Sequence, residues 1–270
     1  MRMSREKKYG HFKIFINKLL RKGRFTFSRA ELQQELGLDY NSLSVLINRH
    51  KQEGIIASPV RGFFVYVPPE YTSLGCLPAA EFIPQLMQYW GDDYYVGLLS
   101  AAAIYGAAHH QPQVYQVISR NIHRPINVGN VKIIFYKNKK IGFLPTISKN
   151  TNTGILKISS PETTAFDLVT KVSDAGGIGN LSTVLLELSE RLSKAALFSV
   201  AKLFNNIPST QKLGFILDKL GCSNLAEPLN KIVAQKANKF IPLISTKSIV
   251  GCERDSKWKI IINESIEAEV

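Results

Sequence analysis

Cysteine is scarce in this 270-residue chain, with only Cys76, Cys222 and Cys252, far apart and odd in number. They form no C-x-x-C pair and no disulfide framework, which points to a reducing compartment. Long apolar runs are missing too. The longest covers residues 96–108 and contains Ser100, Tyr105 and Gly106, well short of the roughly 20 residues a membrane-spanning helix needs. The N-terminus is basic but carries no apolar core of signal-peptide length. A cytoplasmic protein with no membrane partner is the expectation.

Motifs that carry chemistry are equally sparse. The five histidines give no H-E-x-x-H and no Cys/His zinc spacing. His109 and His110 are adjacent, so on a helix they point about 100° apart and cannot readily share one metal. They read instead as capping the negative end of the helix over 96–108. The glycine-rich "AGGIGN" at 175–180 follows a helix and lacks the Lys-Ser/Thr ending of a phosphate-cradling loop, so it reads as a helix–helix turn. There is no G-x-S-x-G elbow and no D…E-x-K cluster of nuclease type. Asp92-Asp93 fits a helix start or loop. Glu162 and Asp167 lie on different faces of one helix. No catalytic residue, no metal and no cofactor is expected, and the chain does not read as an enzyme.

What is present is positive charge, unevenly placed. The net charge is +13, and residues 1–66 hold 13 Lys/Arg against 5 Asp/Glu. Residues 67–150 hold 7 against 4, and residues 151–270 hold 14 against 12. A basic excess concentrated in one small region points to a polyanion, most often nucleic acid.

The same region has a recognisable pattern. Phe12, Phe15, Ile16, Leu19 and Leu20 recur at helical spacing until Gly23. Ser28 with Glu31 three residues on forms a capping box for a short helix, with Ala30, Leu32 and Leu36 inward and Gly37 as its stop. After a turn of about four residues, a third helix starts with Asn41 or Ser42 as cap. It lines one face with Leu43, Leu46, Ile47 and His50 and ends at Gly54. His50 fits a core-edge position rather than a reader. "IIASPVRGFFVYVP" then gives two strand-like runs about a "PVRG" tip. The unit over 9–68 reads as a winged helix-turn-helix, with a domain boundary near 70.

In such a unit the third helix enters the DNA major groove. Its outward residues Asn41, Ser42, Ser44, Asn48 and Arg49 are the candidate base contacts, since Asn and Arg match adenine and guanine edges. Arg24, Lys51 and Arg61 are the candidate phosphate contacts, Arg61 on the wing tip. Some winged helices bind protein instead, and that alternative stays open.

Residues 71–84, with proline at 78 and 84, read as a linker to a second domain over 85–270. That domain is read as mixed α/β to about 175 and mainly helical afterwards, which makes the fold class α+β. It includes a short amphipathic helix over 81–90 and the buried helix over 96–108. Strands are expected at "VYQVIS", "VKIIFYK", "IGFLPTI" and "GILKIS", with the second and third joined by a turn at Asn138-Lys139. A helix starts at Ser160-Pro161, with Ala165, Phe166, Leu168 and Val169 inward. Four more helices fall at 181–192, 195–205, 209–220 and 225–234, and two strand-like runs close the chain.

Three motifs in this order resemble the AbiEi-type antitoxins of type IV toxin–antitoxin systems. They are Ser100-Ala101 with Gly106; Ser160-Pro161-Glu162 with Thr164 and Asp167-Leu168; and Gln211 with Leu213-Gly214-Phe215 and Leu220-Gly221. Ile216 replaces a leucine common in the last motif, and Thr163 an arginine common in the second. The resemblance extends over about residues 10–260. It implies neutralisation of a nucleotidyltransferase-type toxin without a stable complex. It also implies repression of the chain's own operon through inverted repeats in promoter DNA, and a role in phage defence (abortive infection) or plasmid maintenance. The alternatives are a DNA-targeted enzyme, such as a cryptic nuclease or a nucleic-acid-modifying enzyme, and a plain transcriptional repressor.

Overall fold

A computed structural model describes residues 5–108 and 112–266. The first helix, α1 (Arg5–Leu20), buries Phe12, Phe15, Ile16 and Leu19 along one stripe. A strand absent from the sequence reading follows, β1 (Thr26–Ser28), and then α2 (Arg29–Leu36) and α3 (Tyr40–Gln52). The strands β2 (Ile56–Val60) and β3 (Phe63–Tyr66) complete the unit. The three strands form one antiparallel sheet in the order β1-β3-β2. Helix, strand, helix, helix and hairpin in this order make a winged helix-turn-helix.

Its core is aromatic. Phe27 sits between Phe15 and Phe64, with ring centroids 5.2 and 5.6 Å away. Phe12 stacks on His50 at 4.0 Å. His50 is fully buried, and that burial lowers its pKa below the ordinary value, partly opposed by the Glu53 carboxylate at Nδ1.

β3 alternates with period two, and both of its faces are covered. Phe64 belongs to the winged-helix core, whereas Phe63 and Val65 belong to the core of the larger body. Ala57 of β2 and Val67 join them there. The stretch expected as a linker, 71–84, is accordingly not an irregular tether. Cys76 and Leu77 are buried, and α4 (Ala79–Trp90) begins inside it, burying Phe82, Ile83, Leu86 and Met87. The apolar spacing of Phe82, Ile83 and Leu86 outweighs the proline signals that suggested a loop.

The body is a six-stranded mixed sheet with helices. Its strands are β4 (Tyr94–Val96), β5 (Tyr115–Ser119), β6 (Ile126–Val128), β7 (Val131–Lys137), β8 (Thr146–Thr151) and β9 (Gly154–Ser159). The order is β6-β7-β5-β4-β9-β8, with β5–β7 and β4–β9 parallel. The turn at Asn138-Lys139 therefore does not join a hairpin, because β7 pairs with β5 and β6, and residues 141–143 form a 3-10 turn ahead of β8.

The buried helix expected over 96–108 is shorter. β4 takes Val96, and α5 (Leu98–Ile104) starts after Gly97. Alanine-rich composition gives no break signal there; the tight packing around Gly97 supplies it, since a Cβ would lie 2.7 Å from Ile118. His109 and His110 fall outside the described residues.

α6 (Pro161–Thr170) is capped by Ser160, whose Oγ accepts from the Thr163 N–H. It is buried nearly all round, polar residues included. Around it pack α7 (Gly177–Ser189), α8 (Lys194–Phe204) and α9 (Ile207–Lys219), and α10 (Ser223–Lys236) packs on α8 and α9. The "AGGIGN" segment turns the chain into α7, with Gly176 at φ 80°. A small sheet closes the chain: β10 (Ile241–Pro242), β11 (Glu253–Asp255) and β12 (Ile260–Ile262), in the order β10-β12-β11. No helix among the described residues is long and apolar enough to cross a membrane.

The motif residues are framework. Gln211 Nε2 donates to the carbonyls of Lys239, Trp258 and Lys259, and so fixes the closing sheet to α9. Gly214 lies against Trp258, where a Cβ would come within 1.9 Å of the ring. Glu162 accepts from the Ser193 N–H at the start of α8. Asp167 is buried beside Tyr95, whose hydroxyl donates to Oδ1 at 3.3 Å. Burial pushes the Asp167 pKa up to about 8, against the Tyr95 hydrogen bond and the Lys171 charge.

Two stability outcomes follow. Gly214→Ala should destabilise the chain by about 1–3 kcal/mol or more, read by urea unfolding, because Trp258 has no room to yield. Asp167 is held protonated, so its contribution is complete below the ordinary carboxylate pKa of 3.8 and is lost as pH rises through about 8. Asp167→Asn cannot ionise. Its melting temperature relative to wild type should therefore climb across that window, and a pH-independent difference would contradict the assignment.

Candidate nucleic-acid interface

α2 starts at Ser28, whose Oγ accepts from the Glu31 N–H at 3.1 Å. The reciprocal half of the expected capping box is not made. The Glu31 carboxylate instead takes both Arg24 terminal nitrogens, at 2.7 and 2.9 Å. Ala30 is exposed rather than inward, and Leu32 is the side chain α2 buries fully. Gly37 ends the helix in the left-handed region at φ 61°.

α3 is capped by Asp39 and not by Asn41 or Ser42. Asp39 Oδ1 accepts from both of their N–H groups at 3.0 Å. The Ser42 N–H, then its hydroxyl, lead the contacts that hold the Asp39 carboxyl below its ordinary pKa. The cap therefore lies two positions before Asn41, on the far side of Tyr40. Leu43, Leu46, Ile47 and His50 face the core as the spacing predicts.

On the opposite side, Asn41, Val45, Asn48 and Gln52 are all exposed and share one stripe at i, i+4, i+7 and i+11. Val45 is 71% exposed and Tyr40 59%. Neither stands among the candidate contacts drawn from the sequence, which were polar side chains only. A valine there presents an apolar group of the kind that contacts a thymine methyl. Arg49 is exposed beside the stripe, with its Nε on Glu53 at 2.8 Å, and Lys51 is exposed in the last turn.

Ser42 and Ser44 are half-buried. The Ser44 hydroxyl donates to the Tyr40 carbonyl at 2.8 Å and accepts from Arg29 at 2.6 Å. Arg29, also missed, stacks its guanidinium 4.1 Å over the Tyr40 ring and donates to the Tyr40 carbonyl. It thereby braces the turn between α2 and α3. Nothing in its sequence context separates it from a surface arginine.

Arg61 stands exposed at the wing tip. The tip itself is anchored: the Arg29 N–H donates to the Gly62 carbonyl at 2.8 Å, and Gly62 adopts φ 83° against Tyr89 of α4. The Phe63 and Tyr89 rings are 5.3 Å apart. Arg24 is engaged with α2, so the structure groups Asn41, Asn48, Arg49 and Lys51 on α3 and places Arg24 and Arg61 on separate segments. No cluster of three or more possible metal ligands occurs among the described residues.

Residues 95–219 match the family model described as the AbiEi antitoxin C-terminal domain. This part of the chain is an AbiEi-type antitoxin domain; the motifs at Ser100 and Ser160 fall within it, and the motif at Gln211 does so up to Phe215. Among solved structures the fold is similar to "Crystal structure of RV2827C protein from Mycobacterium tuberculosis", with a TM-score of 0.65 at 15% identity, over 96% of this chain and 92% of that one. No curated protein matches the sequence.

The cap gives the local test. Ser28→Ala should cost about 1 kcal/mol, read by chemical unfolding, and Ser28→Asn should keep most of it.

Proposed function

We propose that the chain is the antitoxin of a type IV toxin–antitoxin system. In this reading it neutralises a nucleotidyltransferase-type toxin without a stable complex and represses its own operon by binding inverted repeats in promoter DNA. Two copies would sit on such a palindromic site. The antitoxin part rests on the domain match over 95–219. The DNA-binding part rests above all on one observation: the exposed stripe of α3, polar at Asn41, Asn48 and Gln52, on the most basic region of the chain. Asn48 suits an adenine edge, Arg49 a guanine edge, and Arg61, Lys51 and Arg24 phosphates. Ser42 and Ser44 support the turn more than they read bases. Phage defence would follow from the pairing with the toxin.

A gel shift on the chain's own promoter tests the DNA reading. Wild type should bind with strong salt dependence. Asn48→Ala should lose about 1–3 kcal/mol and relax specificity at one base. Arg61→Ala should weaken binding evenly across sequences and lower the salt slope by about 1. Absence of salt-sensitive binding removes the repressor role. Growth rescue on co-expression with the toxin tests the other half, and Asn48→Ala should still rescue. If wild type binds its promoter but never rescues growth, the protein is a plain repressor.

A further inference from the structure

A cavity of about 550 Å³ opens in the body, far along the chain from the winged helix, between the end of β7, α6 and the start of α9. Its size lies within the range of small-molecule sites. Four lysines line it: Lys137, Lys139, Lys140 and Lys171. Lys137 and Lys139 are exposed, and among the described residues no side-chain hydrogen bond or ion pair engages either ammonium group. Lys140 donates to the Phe204 carbonyl, and Lys171 lies 5.0 Å over the Tyr136 ring. The N-terminus of α9, a thirteen-residue helix, also reaches the lining at Asn206 and Ile207. Helix N-termini carry positive partial charge and attract phosphates.

Against this positive rim stands one acid. Asp167 is the single carboxylate lining the cavity among the described residues, and it is 6% exposed. Its Oδ1 accepts from Tyr95, while its buried Oδ2 has no partner. A buried polar atom left unpaired costs free energy that a bound group can recover. The backbone beside it is held in an unusual form: Leu98, also in the lining, has φ 53°. For a leucine this is a strained conformation of the sort that gathers at ligand sites.

We infer that this cavity binds a small phosphate ester, with its phosphate against Lys137, Lys139 and the α9 N-terminus and a hydroxyl or amino group against Asp167 Oδ2. The lysines alone would take any anion. The lone carboxyl selects an ester over inorganic phosphate, because its unpaired oxygen accepts from a hydroxyl or amino group carried beyond the phosphate, which inorganic phosphate lacks. Two sources share this chemistry, a nucleotide and a sugar phosphate. The site does not depend on the DNA-binding or antitoxin reading.

Calorimetric titration of the full-length protein with AMP, ribose 5-phosphate and inorganic phosphate tests the site. At least one ester should bind saturably, about tenfold or more tighter than inorganic phosphate. AMP ahead of ribose 5-phosphate identifies a nucleotide site, and equal affinities identify a sugar-phosphate site. Lys137→Ala with Lys139→Ala should weaken ester binding at least about tenfold, whereas exposed Lys149→Ala, outside the cavity, should not. Asp167→Asn should reduce the preference for the ester over inorganic phosphate. Lysine acylation of the unaltered protein gives a readout free of folding effects: the bound ester should protect Lys137 and Lys139 and leave Lys149 reactive. Failure of both esters to bind saturably, equal affinity for inorganic phosphate, or uniform loss across the lysine variants overturns the proposal.

Discussion

One strand holds the molecule together. β3 offers Phe64 to the winged-helix core and Phe63 and Val65 to the body, so each of its faces is spent on a different core. Alternation with period two makes this possible: neighbouring residues of a strand point to opposite sides. Removing apolar surface from water is worth roughly 25 cal/mol per Å², and both cores draw on the same four residues for it. α4 then covers the outer face of the hairpin, and the wing tip leans on Tyr89. The basic head is thereby fixed to the body.

The body is organised by polar side chains more than its composition suggests. α6 carries Glu162, Thr163, Thr164 and Asp167 inside, each with a defined partner or place. Thr164 Oγ1 meets Ser159 Oγ at 2.7 Å, and Glu162 receives the first turn of α8. Gln211 gathers three carbonyls of the closing segment. Buried polar groups of this kind specify one arrangement of elements, because every alternative leaves a donor or acceptor unpaired. The residues that make the chain resemble its family are thus chiefly those that fix its geometry.

Much of the architecture was legible. The periodicity of 12–20 and 43–50, the Ser28 and Ser160 caps and the hairpin about Gly62 are local signals, and the structure bears them out. What was not legible depended on distant partners. Three short strands, β1, β6 and β11, have too few residues for a pattern of their own and exist because a neighbour pairs with them. The split of 96–108 into β4 and α5 is set by Ile118 and Asp167 crowding Gly97, which no local window contains. On α3, the outward face was read correctly for Asn41, Asn48 and Arg49. Val45 and Tyr40 do not stand out in the sequence, where the candidate contacts are polar side chains. Asp167 appeared as a helix residue off the common face; its burial and its unpaired oxygen are properties of the assembled fold.

The sharing of β3 also bears on how such a protein can diversify. A head joined by a loose tether can be exchanged whole, since a new one needs only a compatible joint. Here an incoming head would have to reproduce Ala57, Phe63, Val65 and Val67 in register, or leave the apolar side of α4 open to water. Recombination near residue 70 is therefore a poor route to a new head. Asn41, Val45, Asn48 and Gln52 belong to neither core and can vary singly without disturbing the packing. Lineages of this architecture should vary by point changes along that one exposed stripe, while the joint behind it stays put.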